Sequence, residues 1–435
     1  MISTRLGAVL ALTLAGVTIT VAYDRSRDDS SNVSTTSTTV STTVPETAPT
    51  IADPSSTVDI TGLTPITDPA ATTTTVTSTV GSTPADPSTP TSAVDAASGS
   101  AAGSAAVLGY SSGGSARAVA AEDRTWTGSG NAVTFMFAGD TQFEGAAASK
   151  LAANPSAVLL PMAPVMSQAD VTMVNLETSI TTRGSPEPKE FTFRAPAAAF
   201  TALAAAGVDV VTMANNHGRD FGAQGLQDTL DAIRTSGFPT VGIGKNAAAA
   251  YAPYRLTVKG QRIAIFGASR VIDAALLGSW TATDAQPGLA SAYPGAPLDR
   301  LLAAVRDARA SADTVVVYLH WGTERLTCPT SVQETLARQL HDAGADLIVG
   351  SHAHRVQGDG FLDGAFVAYG LGNFVWPRGN VGAVIEVNVT GRVVNSYEWI
   401  PMKVAASVPS PMPESQAAPQ VAQWDKLRSC TDLTP

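Results

Sequence analysis

The feature that most constrains the fold is a series of short apolar segments that alternate with helical patterns from residue 131 onward. Six segments rich in Val, Ile and Phe are typical of strands buried on both faces: VTFMFAG (133–139), VTMVNLE (171–177), VDVVTMA (208–214), RIAIFGA (262–268), TVVVYLHWG (314–322) and DLIVGSH (346–352). Four stretches between them have helical periodicity: AAAFTALAAAG (197–207), AQGLQDTLDAIRTSG (223–237), LDRLLAAVRDARA (298–310) and SVQETLARQLHDAG (331–344). Gly207, Gly237 and Gly344 stand where glycine commonly ends a helix.

The chain after residue 360 lacks helical patterns and is typical of β-structure in series. We therefore predict one α/β domain over residues 131–404, with a β-rich closing section. A domain of about 270 residues is large but acceptable for a single core. The C-terminal tail, residues 405–435, contains Pro and Gln, and we expect it to be poorly ordered.

The N-terminal part has the composition of a targeting segment followed by a stalk. Residues 1–23 contain Arg5 and then LGAVLALTLAGVTITVAY, which is compatible with a cleaved signal peptide or an uncleaved signal anchor. Residues 24–130 are rich in Ser, Thr, Pro and Ala, and such a stretch buries too little apolar surface to offset the entropy of ordering. We expect a disordered stalk that carries an extracytoplasmic, cell-surface domain, either membrane-anchored or secreted.

Net charge and cysteine content limit the kinds of partner and the cellular compartment that are expected for this chain. The net charge of −10 is unlike the basic profile of a nucleic-acid-binding protein, so no nucleic-acid partner is expected. An anionic substrate would need local cations, because the acidic surface does not attract it from a distance. The two cysteines, Cys328 and Cys430, are compatible with a disulfide outside the cytoplasm or with two unpaired thiols.

Polar side chains cluster just after the predicted strands. The set contains Asp140, Glu177, Asn215, Asn216, His217, His320, His352 and His354. If these strands are parallel neighbours, their carboxyl ends meet at one edge of a sheet, where ligands bind in open α/β folds. The set holds four of the five histidines, and the fifth, His341, lies in a helical pattern where a structural role is expected.

Each member of this set has an ordinary structural explanation when it is considered alone. A carboxylate after a strand often caps the next helix, and Asn-Asn is common in turns. The combination is harder to explain, because converging carboxylates would raise one another's pKa values unless cations compensate them. Oxygen and imidazole ligands without thiolates favour Mn, Fe or Zn over Ca. The pattern therefore predicts a site for two divalent metal ions.

Six motifs carry a resemblance to a known family. They are GDTQF (139–143), NLE (175–177), NNHGRDFGAQGLQDTL (215–230), HWGTE (320–324), GSHAHRVQG (350–358) and YGLGNFVW (369–376). Their order and spacing resemble those of the CapA family of bacterial capsule and poly-γ-glutamate synthesis proteins, which are similar to calcineurin-like metallophosphoesterases. The resemblance covers residues 131–380 and implies a layered β-sandwich flanked by helices.

The resemblance also implies roles for individual residues. Metal ligands would be Asp140, Glu177 as the bridging carboxylate, Asn216, His320, His352 and His354. His217 matches the histidine that protonates the leaving oxygen or steadies the phosphate. Since residues i and i+2 of an extended backbone face the same way, His352 and His354 are expected to point into one cavity.

Two positions depart from the pattern of the metallophosphatases. Gln142 stands where an Asp-x-His motif has its histidine, so one site lacks an imidazole, and Ser351 and Ala353 replace a second His and a Pro. Arg194 and Arg219 are candidates for binding an anionic group of the substrate, although for Arg219 an ordinary ion pair with an acid such as Asp220 is an alternative.

Three functions fit these observations. The first is a metal-dependent phosphoesterase-like hydrolase in capsule or poly-γ-glutamate production, with a cell-surface polymer or phosphoester as substrate. The second is a non-catalytic component that binds metal or polyanion in a polymer synthesis or export complex, beside membrane-bound synthase subunits. The third is a surface phosphatase for an unrelated ester. An uncleaved N-terminal segment would add the membrane as a partner.

Overall fold

The computed structural model describes residues 128–378 and 380–435, together with three short strands nearer the N-terminus. Strands β1 (Val9–Leu14) and β2 (Val17–Ala22) pair antiparallel, and β3 (Arg117–Ala118) pairs with a strand of the main domain. The rest of residues 1–127 lies outside the described residues, so the targeting segment and the stalk stay predictions. In the part of the chain that is described, no helix is long and apolar enough to cross a membrane.

The described residues from 128 onward form eighteen further strands. They are β4 (Val133–Thr141), β5 (Val171–Leu176), β6 (Ser179–Ile180), β7 (Arg194–Ala195), β8 (Val210–Thr212), β9 (Thr240–Val241), β10 (Ile243–Gly244), β11 (Tyr254–Val258), β12 (Gln261–Ser269), β13 (Gly288–Leu289), β14 (Thr314–Trp321), β15 (Leu347–His352), β16 (Asp359–Leu362), β17 (Ala365–Ala368), β18 (Asn373–Val375), β19 (Asn380–Thr390), β20 (Val393–Ala405) and β21 (Val408–Pro411). The six predicted strands and the β-rich closing section are confirmed.

The α-helices alternate with the strands up to β15. They are α1 (Ala146–Ala153), α2 (Ala163–Met166), α3 (Ala198–Ala205), α4 (Gly222–Ser236), α5 (Ala247–Ala250), α6 (Leu277–Trp280), α7 (Ala296–Arg309), α8 (Ser331–Ala343) and α9 (Glu414–Trp424), with short 3-10 helices at Pro155–Ala157 and Asp425–Cys430. The four predicted helices are confirmed as α3, α4, α7 and α8. The glycines that follow α3, α4 and α8 all have positive φ, as helix-ending glycines do.

The strands form two main sheets, and the six predicted strands are divided between them. In the larger sheet the order is β21-β20-β19-β4-β5-β8-β9, and β18 and β3 also pair with its strands. The smaller sheet has the order β11-β12-β14-β15-β17-β16. The prediction that the carboxyl ends of these strands meet at the edge of one sheet is therefore wrong. Strands β4, β5 and β8 belong to one sheet, whereas β12, β14 and β15 belong to the other.

The two sheets pack face to face, and helices cover their outer faces. Phe135 and Phe137 of β4 share a buried cluster with Val316 and Tyr318 of β14, and the Tyr318 hydroxyl donates to the Ala138 carbonyl across the sheets at 2.9 Å. Residues of α1 to α4 pack on the outer face of the larger sheet, and residues of α5, α7 and α8 pack on the smaller one. This arrangement confirms the predicted α/β sandwich flanked by helices.

The C-terminal tail is ordered, so the prediction of a poorly ordered tail is wrong. Trp424 of α9 packs against Trp399 of β20 with ring centroids 5.6 Å apart, and Leu433 is buried beside the smaller sheet. Cys430 forms a disulfide with Cys328, in the loop that follows β14. Burial of these apolar side chains favours an ordered tail despite its polar composition.

Candidate metal centre

Alternation along the strands directs several polar side chains into the space between the two sheets. Met173 of β5 lies in the core between the sheets, and Asn175 and Glu177 follow it at intervals of two residues. Likewise, Tyr318 of β14 lies in that core and His320 follows two residues later. Because side chains two apart in a strand face the same way, the carboxyl ends of both sheets contribute to one cluster.

A β-bulge in β4 turns Asp140 toward this cluster. The pairing of β4 with β5 shifts register between Ala138 and Asp140. A side chain at Gly139 would place its Cβ 1.8 Å from the carbonyl oxygen of Gly372, so the close approach of the two chains requires glycine. Bulges commonly re-aim a side chain next to a functional site.

Asp140 is fully buried and well supplied with hydrogen-bond donors. Its Oδ1 accepts from Asn175 Nδ2 at 2.8 Å, and its Oδ2 accepts from the His352 backbone N–H at 3.1 Å. Nδ1 of His354 lies 3.0 Å from Oδ2. Burial alone would raise the pKa of Asp140, but the hydrogen bond and charge of His354 outweigh it and hold this pKa well below its usual range. Asp140 is therefore an ionised carboxylate.

Glu177 lacks the hydrogen-bond donors that surround Asp140. Both of its carboxylate oxygens are buried, and neither has a hydrogen-bond partner within the described residues. Its Oε1 lies 3.4 Å from His320 Nε2 and 3.9 Å from His217 Nε2. Burial, and then the nearby charge of Asp140, raise the pKa of Glu177 well above its usual value. A buried carboxylate without donors is costly unless a cation accompanies it.

His320 links the two sheets at the centre of the cluster. Its Nε2 lies 2.7 Å from Asn216 Oδ1 and 3.1 Å from Nδ1 of His352, and its Nδ1 lies 3.2 Å from the Ser351 hydroxyl. Burial lowers the pKa of His320 to about 3, and burial together with the neighbouring His320 lowers that of His352 well below its usual value. Both imidazoles are therefore neutral and have a lone pair to offer to a metal.

The backbone at the two terminal histidines is not extended. His352 has φ 94° and His354 has φ 53°, in the left-handed region that non-glycine residues rarely adopt. The two rings converge with centroids 5.9 Å apart. The expectation of convergence through an extended chain is thus wrong in its geometry, because a left-handed turn brings the rings together. Strain of this kind is common at functional sites.

His354 is the charged imidazole of the cluster. Its Nδ1 lies 2.7 Å from Asn373 Oδ1 as well as close to Asp140, and its ring packs on Trp376 with centroids 4.4 Å apart. Burial alone would lower its pKa, but the hydrogen bond to Asp140 and the charge of that carboxylate raise the pKa of His354 to about 9. A metal at this position would replace the proton of His354.

His217 stands beside the cluster in a chain of buried hydrogen bonds. Its Nδ1 lies 2.5 Å from Asp220 Oδ2, and Lys189 Nζ donates to Asp220 Oδ1 at 2.9 Å and to the Asn216 carbonyl. Phe193 stacks on the imidazole at a centroid distance of 4.0 Å. Burial lowers the pKa of His217 well below its usual value and raises the pKa of Asp220 to about 7. The bond at Nδ1 leaves Nε2 directed toward Glu177.

The side chains fit a divalent cation. Three groups have potential ligand atoms within 4.8 Å of one another: Glu177, His320 and His352; Asp140, Glu177 and His354; and Glu324, His352 and His354. Neutral imidazoles, an amide oxygen and a carboxylate without donors are the ligands that Mn, Fe and Zn accept. All six predicted ligands are brought together, and their roles in binding stay predictions.

The two predicted substrate-binding arginines make other contacts. The Arg194 guanidinium lies over the ring of Phe221, 4.8 Å from its centroid. Arg219 donates to the Ser279 carbonyl, and Asp220 pairs with Lys189, so the structure shows no pairing of Arg219 with Asp220. A role of either arginine in substrate binding stays a prediction. His341 lies in the last turn of α8, as expected.

Sequence reasoning did not identify four residues that organise the cluster. They are Asn175, Lys189, Asp220 and Asn373. The signal for Asn175 and Asn373 was an amide inside an otherwise apolar strand, where a polar side chain needs a buried partner. Lys189 lies in a polar loop, and no local pattern points to it.

Fold and cluster together define an α/β sandwich protein whose buried ligand set is compatible with divalent metal ions. The family model described as "Bacterial capsule synthesis protein PGA_cap" matches residues 134–378, and the chain belongs to this family. The predicted membership of the CapA family is thus confirmed.

Individual relatives agree with this membership. The chain is 34% identical over 215 residues to "Capsule biosynthesis protein CapA" of Bacillus anthracis, which covers 48% of this chain and 51% of the relative. It is 32% identical over 208 residues to "PGA biosynthesis protein CapA" of Bacillus subtilis, covering 47% and 53%. The chain thus spans about half the length of these curated relatives. A solved structure of a hypothetical protein from Thermus thermophilus matches 62% of this chain and 99% of its own, with 16% identity and a TM-score of 0.39.

Proposed function

We propose that this protein is a divalent-metal-dependent hydrolase of the phosphoesterase type that acts outside the cytoplasm in capsule or poly-γ-glutamate production. The observation that carries the proposal is the buried Glu177 carboxylate, which has no hydrogen-bond partner in the part of the chain that is described and lies among neutral imidazoles. Such an arrangement is costly in a metal-free protein and favourable around a cation. The names of the two relatives support the polymer pathway.

Six side chains would hold the cations: Asp140, Glu177, Asn216, His320, His352 and His354. When bound, divalent cations stabilise the charge that develops on a phosphoryl group and activate water for attack. Asn175 orients Asp140, and Asn373 orients His354, through hydrogen bonds of 2.8 and 2.7 Å. Partners of this kind keep ligands in place before the cation arrives.

His217 holds the position of a proton-transfer group. Asp220 fixes the imidazole through Nδ1, and Lys189 fixes Asp220, so Nε2 is presented to the space beside Glu177. Burial favours the neutral imidazole, so Nε2 would take up a proton from solvent before His217 gives that proton to the leaving oxygen. Phe193 and Trp376 pack edge to face, 5.9 Å apart, and cover His217 and His354 respectively, which limits the access of water to this side.

Metal content and turnover of the full chain test this proposal. We expect bound Mn, Fe or Zn, and hydrolysis of phosphomonoesters or phosphodiesters when the metal is supplied. Asp140→Asn should lose both, whereas Asp342→Asn, a matched change on the exposed side of α8, should keep both. Absence of metal after reconstitution would refute the proposal. Turnover of simple esters without any effect on a capsular polymer would instead favour a surface phosphatase for an unrelated ester.

A second candidate is a non-catalytic component that binds metal or polyanion in a polymer synthesis complex beside membrane-bound synthase subunits. One observation favours it. Gln142 is buried where the metallophosphatase motif has a histidine, and its Oε1 accepts from the Glu144 backbone N–H at 2.8 Å, so the imidazole of the motif is missing and one lone pair of the amide oxygen is already used. Stoichiometric metal without turnover of ester, amide or polymer substrates would support this candidate.

The extracytoplasmic location rests on the Cys328–Cys430 disulfide and on the composition of residues 1–130. Disulfides persist in oxidising compartments and are rare in the cytoplasm. We expect protease added to intact cells to degrade the domain, and alkylation of the unreduced protein to label neither cysteine. Protection from protease together with two free thiols would place the domain inside the cell.

A further inference from the structure

An exposed carboxylate lies beside the candidate metal centre and has no role in the arrangement described above. Glu324 is exposed, and one of its carboxylate oxygens lies within 4.8 Å of ligand nitrogens of His352 and His354. In residues 128–378 and 380–435, no hydrogen-bond donor pairs with the Glu324 carboxylate. The side chain is thus available to a cation.

The loop that carries Glu324 is fastened to the histidine turn itself. The backbone N–H of Arg325 donates to the carbonyl of Ala353, which lies between the two histidines, at 2.7 Å. Gly322 has φ 92° and Arg325 has φ 68°, so left-handed residues shape the turn on both sides of Glu324. The backbone of the loop therefore fixes the position from which the Glu324 side chain extends.

A second set of contacts holds the far end of the same loop. Gln357 Nε2 donates to the carbonyls of Leu326 and Cys328 at 3.0 and 3.2 Å. The Cys328–Cys430 disulfide then ties the loop to the ordered tail. An ordinary surface acid does not need such support, whereas a ligand must be held close to its productive position.

The predicted ligands carry less negative charge than two divalent cations would require, and Glu324 adds a further carboxylate. Asp140 and Glu177 are the two carboxylates among the predicted ligands, so two divalent cations with four positive charges would meet two negative charges. Gln142 supplies neither a charge nor an imidazole, and its Oε1 already accepts a hydrogen bond from the Glu144 backbone N–H. A third carboxylate reduces the excess positive charge and replaces the missing donor.

We propose that Glu324 is a further metal ligand, which binds from the solvent side together with His352 and His354 and compensates for Gln142. The inference deepens the proposed function, since it rests on metal binding at the same cluster. It does not require turnover. Because Glu324 is exposed, it is also the ligand that an anionic substrate can most readily displace on entering the site.

Metal binding by four variants of the full chain tests this inference. Affinities for Mn and Zn would be measured by competition with a chromophoric chelator, and stoichiometry by elemental analysis. We expect Glu324→Gln to weaken binding of one cation by roughly tenfold or more, in the range seen when a supporting group of a metal site is lost. Glu324→Asp should recover part of that loss. Glu414→Gln, an exposed acid in the first turn of α9, is the matched control and should bind as the wild type does.

The fourth variant tests compensation directly. Glu324→Gln combined with Gln142→His should bind the cation more tightly than Glu324→Gln alone, because the histidine restores the imidazole of the related motif. Equal affinities of Glu324→Gln, Glu414→Gln and the wild type would overturn the inference. The thermal midpoints of the metal-free variants should agree, so that a loss of folding is not mistaken for a loss of ligand. If the wild type binds two cations without turnover, the proposed function fails while this inference stands.

Discussion

The two ends of the same strands differ in how their acids are supplied with hydrogen-bond donors. At the amino ends, an aspartate directly precedes each of four parallel strands and accepts a backbone N–H of the neighbouring strand at 2.8 Å: Asp170 from Thr134, Asp209 from Thr172, Asp313 from Arg262 and Asp346 from Val315. At the carboxyl ends, Glu177 is buried, and no donor in residues 128–378 or 380–435 bonds to it. The residue types are alike, and the supply of partners differs.

The acids at the amino ends have their partners within the protein, whereas the acid at the carboxyl ends belongs to the candidate metal centre. Asp346 also pairs with Arg309 and, at 3.0 Å, with Arg392, so its charge is compensated by the protein. No described residue donates a hydrogen bond to the Glu177 carboxylate. Removing a buried acid that has all its partners destabilises the folded state because those partners are left unpaired, whereas a buried carboxylate without donors is itself costly unless a cation binds. Four substitutions, taken from the largest expected effect to the smallest, test this contrast.

The largest effect is expected at His217, at the carboxyl ends. His217→Asn removes proton transfer at Nε2 and should lower turnover by about 10²- to 10⁴-fold while metal stoichiometry is retained. Initial rates with a phosphodiester and elemental analysis of the same sample provide the check. His341→Asn, in the last turn of α8, is the control and should leave turnover unchanged. Loss of metal together with activity would show that His217 supports the site and does not transfer the proton.

At the amino ends, Asp346→Asn should cost stability and not function. The change keeps the shape but removes the charge that two arginines share, so we expect the free energy of unfolding to fall by about 2–3 kcal/mol. Urea denaturation followed by tryptophan fluorescence measures it. Metal affinity of the folded protein should not change. An unchanged midpoint would mean that this end of the strands contributes little to stability.

Asp209→Ala should show a smaller version of the same effect. The Asp209 carboxylate is exposed and accepts the Thr172 N–H, so its removal leaves one backbone donor to water. We expect a loss of about 0.5–1 kcal/mol in the free energy of unfolding, the usual value of one hydrogen bond. The same denaturation experiment applies. A loss as large as that of Asp346→Asn would contradict the ranking by number of partners.

The smallest effect on stability is expected at Glu177. Glu177→Gln is the same kind of change as Asp346→Asn, from an acid to its amide, but it breaks no hydrogen bond in the metal-free protein. We expect the unfolding free energy in EDTA not to decrease, because the neutral amide replaces a buried carboxylate that lacks donors, while metal affinity falls. A loss of several kcal/mol in EDTA would show that Glu177 has a structural partner and would remove the contrast between the two ends.

Much of the fold could be predicted because the relevant signals are local. Apolar runs such as 314–322 predicted β14, and helical periodicity with a closing Gly344 predicted α8, where Thr330 and Gln333 also form a capping box at its start. The tail could not be predicted in this way. Its order depends on Trp424 and Leu433 reaching distant apolar surfaces, and composition alone does not show such contacts.

Some features of the candidate site could likewise be predicted from local signals, and others could not. The histidines and acids that follow the strands were found from their positions, since strand ends are where α/β proteins place ligands. Lys189 was not found, because its link to Asp220 joins two loops 31 residues apart in sequence. The left-handed backbone of His352 and His354 was not found either, because it depends on what packs around the turn and not on residue type.

The sequence by itself determined which segments are strands and helices, which residues are candidates for metal binding, and the family to which the chain belongs. Tertiary structure decided that the strands divide into two facing sheets, that a bulge turns Asp140 inward, and that Glu177 has no donor while Asp346 has three. The physical reason is the separation in sequence over which each kind of interaction acts. Periodicity and turn chemistry act between neighbours, whereas the pKa and the hydrogen-bond partners of a buried group depend on residues that only folding brings near.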